Sequence, residues 1–182
     1  IIMLKNHGIF VSGNTAEEIR SLYADVMESL RLEYHRHGIR EELQITETER
    51  EYEQEYKIGS FFGEDAAFIQ SSGFFQCAIG PLTPDHLVYA RAYPFTEELT
   101  KENVEVYREK HGFAPKVVVQ KDRVYGLGRT EKNARLALLF AQDGAQVLQL
   151  SQAFGGVEYM TVRAREFIEN WEVESYREKV AS

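Results

Sequence analysis

A mixed α/β fold is predicted for this chain, on three observations. Short apolar runs of strand length alternate with longer stretches of helical period. Threonines stand where helix caps belong, ahead of those stretches. One strand–turn–strand–helix pattern occurs twice, near the start and again past residue 115.

Taken in order, Ile1 to Leu4 reads as a buried strand and Ile9 to Val11 as a second short one. Lys5-Asn6-His7-Gly8 is a turn by composition. Thr15 followed by Glu18 makes a capping box. Ile19, Leu22, Tyr23, Val26 and Leu30 then recur at helical spacing, to about Arg36, with Gly38 as the stop. Residues 46–57, rich in Glu and Tyr, read as an exposed helix, and residues 58–75 as irregular and partly buried. Thr83-Pro84 predicts a helical turn, with proline at the first helical position. A helix is expected over 97–111, strands at Val117 to Val119 and at Val124 to Tyr125, and a long helix from Thr130 to about Phe154. A last helical stretch carries Phe167, Ile168 and Trp171.

Thr15 lies over Thr130, a separation of 115 residues (130 − 15), and the same shift aligns Ile1–Thr15 with Lys116–Thr130. Both segments run strand, polar turn, strand, Gly-x-Thr, helix. We read this as an internal repeat of one supersecondary unit. Its two copies differ in the turn, which has His7 in the first and Asp122 in the second. Ile19, Tyr23 and Val26 are expected to cover the strands of the first copy, as Ala134, Leu138 and Ala141 cover those of the second.

Bulk properties set limits. The 182 residues suit one globular domain or two unequal lobes. No apolar run approaches the ~20 residues of a membrane span. Lys5 and His7 break the first apolar run, so no signal peptide is read. Cys77 is the single cysteine, which excludes an intrachain disulfide and a cysteine zinc site and fits a reducing cytoplasm. A net charge of −8 argues against binding to nucleic acid or to an anionic membrane. The opening Ile-Ile-Met-Leu reads as mid-strand, so the chain is expected to be a piece of a longer polypeptide.

The segment from Leu4 through Asn6-His7-Gly8 to Gly13-Asn14-Thr15-Ala16-Glu17-Glu18 resembles the closing motif of the class II aldolase/adducin family. Pro81-Leu82-Thr83-Pro84-Asp85-His86-Leu87-Val88 and the second strand–helix unit look, more loosely, like the middle region of proteins that fuse this aldolase to a short-chain dehydrogenase. Some of these are similar to rhamnulose-1-phosphate aldolases. The resemblance implies a three-layer α/β/α sandwich around a largely antiparallel central sheet, often assembled into tetramers. It implies residues 1–57 as the end of one aldolase-like unit, 58–160 as a second such repeat, and 161–182 as a helical tail or linker to a following dehydrogenase domain. It further implies a zinc-dependent lyase that cleaves a ketose phosphate, a sugar phosphate as ligand, and a homo-oligomer. His7 matches the family's third zinc ligand. The family's His-x-His pair, its phosphate loops and its catalytic carboxylate lie upstream of this motif, so no catalytic residue is assigned here. A non-catalytic, adducin-like interaction module is the alternative.

The remaining candidates are weighed on their own chemistry. A catalytic zinc takes three protein ligands and one open position. His35-x-His37 imitates a ligand spacing but falls at a helix end, where residues two apart point about 200° away from each other. Asp85-His86 is a possible second metal or acid/base pair, and equally an ordinary helix start with Asp85 favoured by the dipole. Gly126-x-Gly128 fails the dinucleotide fingerprint, because Glu131 stands where a third glycine belongs.

Overall fold

A computed structural model describes residues 1–169. The chain is mixed α/β, as expected, with helix predominating and all paired strands antiparallel. The strands of the described residues fall into two sheets rather than one. Strands β1 (Ile2–Leu4) and β2 (Gly8–Phe10) form a hairpin by themselves. Strands β3 (Phe68–Gly73), β4 (Val117–Gln120) and β5 (Arg123–Gly128) form a three-stranded sheet in the order β3-β5-β4. Phe95 extends it by a single parallel bridge to Val118.

The second sheet holds the core, and its side chains divide with the strand period of two. Val118, Tyr125 and Leu127 point to one face. There they meet Ile58 and Phe62 from α2 (Tyr52–Phe62), Val104 and Tyr107 from α4 (Lys101–His111), and Phe95 and Leu99 from the connection before it. Val117 and Val124 point to the other face, where Ala141 and Ala145 of α5 (Glu131–Ser151) join Phe75 and Ala90. Helix α3 (Pro84–Tyr89) starts at Thr83 with Pro84 in its first turn, as read from sequence, and packs on α5. Helix α6 (Val162–Glu169) packs on α3 and ends the described chain; Trp171 lies outside the described residues.

Helix α5 approaches its sheet closely, because the contact is made of small residues. Ala134 and Ala137 are fully buried on its inner face. A Cβ at Gly126 would lie 2.4 Å from the Ala134 carbonyl oxygen, and one at Gly128 would lie 2.4 Å from the Ala134 nitrogen. Gly126-x-Gly128 therefore serves helix–strand packing.

The repeat is present in the order, lengths and caps of the elements, but not in how helix and strands pack: α5 lies on β5, and α1 makes no comparable contact with β1 or β2. Helix α1 (Ala16–Arg36) and helix α5 each have 21 residues, and both ends coincide under the 115-residue shift. Thr15 and Thr130 cap them alike, accepting from the N–H groups of Glu18 and Asn133. Asn6 (φ 54°) and Lys121 (φ 53°), equivalent turn residues, both take the left-handed conformation. The hairpins differ in register: Leu4 pairs Gly8 across a three-residue loop, whereas Gln120 pairs Arg123 across two residues.

Burial does not follow the repeat, and here three expectations are corrected. Ile1–Leu4 is not a buried strand; Ile1, Ile2, Met3 and Leu4 are all exposed. Ile19, Tyr23 and Val26 do not cover the hairpin, because Ile19 and Tyr23 are exposed and α1 contains no buried residue. Helix α1 instead reaches the 3-10 turn Gln152–Phe154, with Tyr34 packed edge-on against Phe154. Val11 stands where β5 has Gly126, and Ile19 where α5 has Ala134, so this pair is too bulky for the close approach made in the second copy. The third correction is the span 58–75, which is not irregular. It completes α2, makes a 3-10 turn at Gly63–Ala66 and then forms β3.

Candidate functional site

His7 occupies the last position of the β1–β2 turn, immediately before β2. Its N–H donates to the Leu4 carbonyl at 3.2 Å. Gly8 follows at φ 148°, a conformation that side-chain-bearing residues rarely adopt, so glycine is needed here for the chain to leave the turn. Asn6 tolerates its left-handed backbone and donates through Nδ2 to the Glu158 carbonyl at 2.8 Å. Lys5 pairs with the Glu158 carboxylate at 2.5 Å. The turn is thus tied to the segment after α5, and the His7 ring is left exposed on the surface.

The donor set is one histidine. Among the described residues no group of three His, Cys, Asp or Glu side chains stands close enough to share a metal. His35 and His37 lie exposed at the end of α1, with His37 Nε2 3.2 Å from Glu33 Oε1. Asp122, the counterpart of His7, offers its backbone carbonyl to Thr48 Oγ1 at 3.3 Å.

Asp85 and His86 separate. Asp85 is exposed in the first turn of α3, while His86 turns inward and is 8% exposed. The His86 ring lies between two oxygens, with Nδ1 2.7 Å from Thr83 Oγ1 and Nε2 3.1 Å from Asp143 Oδ2. The second contact is poorly aligned as a hydrogen bond. The Asp143 carboxyl is nonetheless held below its ordinary value, chiefly by bonding to His86, against its own partial burial and with the help of His86 charge. Asp143 lies on α5, 57 residues further along (143 − 86), so no local pattern announced it. A small recess of about 20 Å³ lies beside this ring, lined by Cys77, Leu82, His86, Phe140 and Gly144 among others. Burial pushes the Cys77 thiol up to about 12. At neutral pH it is a protonated thiol.

A second cluster was not foreseen. Tyr93 stacks on His111 at 4.6 Å, Tyr107 lies 4.5 Å from the same ring, and Arg165 Nη1 donates to Tyr93 Oη at 3.1 Å. The Tyr107 hydroxyl donates to the Tyr93 carbonyl at 2.5 Å. Burial first, then the charge of Lys110, lowers the affinity of His111 for a proton. The sequence signal for this cluster is the i, i+4 spacing of Tyr107 and His111 on α4. Tyr93 and Arg165 come from distant segments.

Compared with protein-family models, curated proteins and solved structures, the chain has no match.

Proposed function

We propose that this chain is part of a zinc-dependent, class II aldolase-type lyase that cleaves a ketose phosphate, with His7 as one ligand of the metal. The observation that supports the reading is the turn itself. Asn-His-Gly presents an exposed imidazole at a strand end, on a backbone anchored by Asn6 and Lys5 to Glu158. On this reading the strands and helices belong to a three-layer α/β/α sandwich. The second strand–helix unit, with Asp122 in place of His7, is a metal-free repeat. Zinc, when bound, supplies a Lewis acid beside the bond to be broken. The remaining ligands and the proton-transfer carboxylate come from residues outside those described, and cleavage takes place in a reducing cytoplasm. Nothing in the reading requires nucleic acid or a membrane, and no helix among the described residues is long and apolar enough to cross one.

One histidine cannot give a closed ligand set, so the 182-residue chain is expected to bind zinc weakly and to show no retro-aldol activity. Calorimetry and a ketose phosphate cleavage assay check this. The polypeptide as encoded is expected to cleave in a zinc-dependent manner, and His7→Ala is expected to cost it on the order of a hundredfold or more in activity. Tight one-to-one zinc binding by the 182-residue chain that survives His7→Ala would overturn the assignment of His7. The exposed hairpin favours a second reading, an adducin-like interaction module. Under it, the encoded polypeptide has no lyase activity at any zinc concentration.

A further inference from the structure

The Tyr93–His111 cluster lines a cavity that the metal reading does not use. It measures about 330 Å³, within the range of small-molecule sites, and His7 is not among its lining residues. Lys110 and His111 come to it from α4, Arg165 from α6, and Tyr93, Thr96 and Glu97 from the connection between α3 and α4.

Aromatic contacts, not hydrogen bonds, fix the His111 ring. Tyr93 stacks on it at 4.6 Å with 27° between the planes, and Phe113 at 6.0 Å and 30°. Tyr107 tilts against it at 4.5 Å and is itself held by its bond to the Tyr93 carbonyl. Neither ring nitrogen of His111 makes a hydrogen bond among the described residues, and neither is buried without one. The imidazole is therefore oriented in advance, with its hydrogen-bonding capacity left to solvent or to a ligand.

The charges around it leave room for one negative charge. Lys110 is exposed and makes no ion pair among the described residues. Arg165 donates to Tyr93 Oη at 3.1 Å and is shared with Glu166 and Glu169 of its own helix, at 3.6 and 3.4 Å. Glu97 is the one carboxylate in the lining, and its Oε2 accepts from the Thr96 N–H at 3.1 Å. Arg91, over the Phe113 ring at 4.7 Å, adds a cation to the same aromatic cluster. The His111 ring feels this balance. Burial first and Lys110 next hold its proton affinity below the ordinary value; Glu97 opposes them and Arg165 adds to the lowering. A neutral imidazole that can donate one N–H, beside a free ammonium, suits a singly charged carboxylate. A doubly charged phosphate would meet the Glu97 charge with one free cation to offset it. Ile79 and Pro94 supply an apolar wall.

We propose that this cavity binds a small monocarboxylic acid with an apolar body, its carboxylate between Lys110 and the His111 imidazole and its body against Ile79, Pro94 and the Tyr93 ring. The site goes beyond the lyase reading and does not depend on it.

Phenylacetate serves as the test acid, phenylacetamide as its uncharged counterpart and inorganic phosphate as the rival anion. Histidine ring protons of the 182-residue chain are followed by NMR, with His111 assigned through His111→Phe. Phenylacetate is expected to saturate, with a Kd on the order of a millimolar or below for its roughly ten non-hydrogen atoms. At saturation the His111 titration midpoint is expected to rise, because a carboxylate beside the ring favours its charged form. His111→Phe, which keeps a ring in the stack, is expected to weaken binding about tenfold. Lys110→Met is expected to weaken it about threefold to fivefold, the loss of an exposed charge. Lys110 is exposed, so this variant tests the site even where the His111 substitution disturbs the stack. His7→Ala is expected to leave binding unchanged, so failure of this site and failure of the metal reading are told apart. Absence of saturation, with an unmoved His111 midpoint, up to about 20 mM acid overturns the proposal. So does binding that neither substitution weakens, or that phenylacetamide matches. Phosphate binding more tightly than phenylacetate also overturns it, and assigns the cavity to a phosphorylated ligand.

Discussion

A methyl group at residue 128 would meet the Ala134 backbone nitrogen at 2.4 Å and Asn133 Cβ at 2.7 Å. Its repeat counterpart, Gly13, faces only the flexible end of Glu18 at 3.0 Å. Gly128→Ala must therefore push a helix off its sheet, while Gly13→Ala needs only a side chain to swing aside. Urea unfolding is expected to show a loss of about 3 kcal/mol for the first, at the upper end of overpacking costs, and under about 1 kcal/mol for the second. Asp143 gives a residue-scale prediction in pH. Its folded value lies below the ordinary 3.8. Its contribution is therefore present above about 3.8 and lost as pH falls through the lower, folded value. Because the carboxylate is 61% exposed, that contribution is expected to stay under about 1 kcal/mol. Asp143→Asn should be less stable than the parent at about pH 5, and the gap should close as pH falls well below the ordinary 3.8. Urea midpoints across this range decide, and a gap that persists in acid would show that the His86–Asp143 contact does not act through charge.

Two helices of equal length and equal cap differ in what they are worth. Thr130 starts the helix that covers the core sheet, and Thr15 starts a helix with no buried residue. Losing a threonine cap costs about 1 kcal/mol of helix stability. Thr130→Ala is expected to pass that cost to the whole fold, because α5 cannot fray without uncovering Val117 and Val124. Thr15→Ala is expected to leave the global unfolding midpoint where it was and to speed amide exchange in α1. Native-state exchange should show α1 amides opening well below the global free energy, and α5 amides opening only with it. The first helix start has one further support, since Glu18 Oε2 accepts from the Asn14 N–H at 2.7 Å. Asn133, at the matching place in α5, has no such reach. Sheet packing, not the cap, holds α5.

At the scale of the molecule, the chain divides into a packed part and an appended part. The packed part is the β3-β5-β4 sheet with α2 and α4 against one face and α5 against the other. The appended part is the hairpin with α1, joined to the rest through Glu158, Phe154 and the Arg31–Glu41 ion pair. Zinc chemistry, if the proposed reading holds, is reached only when the appended part gains the ligands that His7 lacks.

Local pattern alone placed α1, α3, the start of α5, both hairpin turns and the repeat, because caps, turn residues and helical period act over a few residues. It also placed His7 in a turn beside a strand. Strand β3 escaped it, since Phe-Ile-Gln-Ser-Ser-Gly has no clean alternation and becomes a strand by pairing with β5. The His86–Asp143 contact and the Tyr93–His111 stack escaped it as well, because each joins segments far apart in sequence. Burial was the largest difference. The apolar content of Ile1–Leu4 and α1 was legible and their exposure was not. A sequence records that a surface is fit to be covered, and only the tertiary arrangement decides whether anything in the chain is placed to cover it.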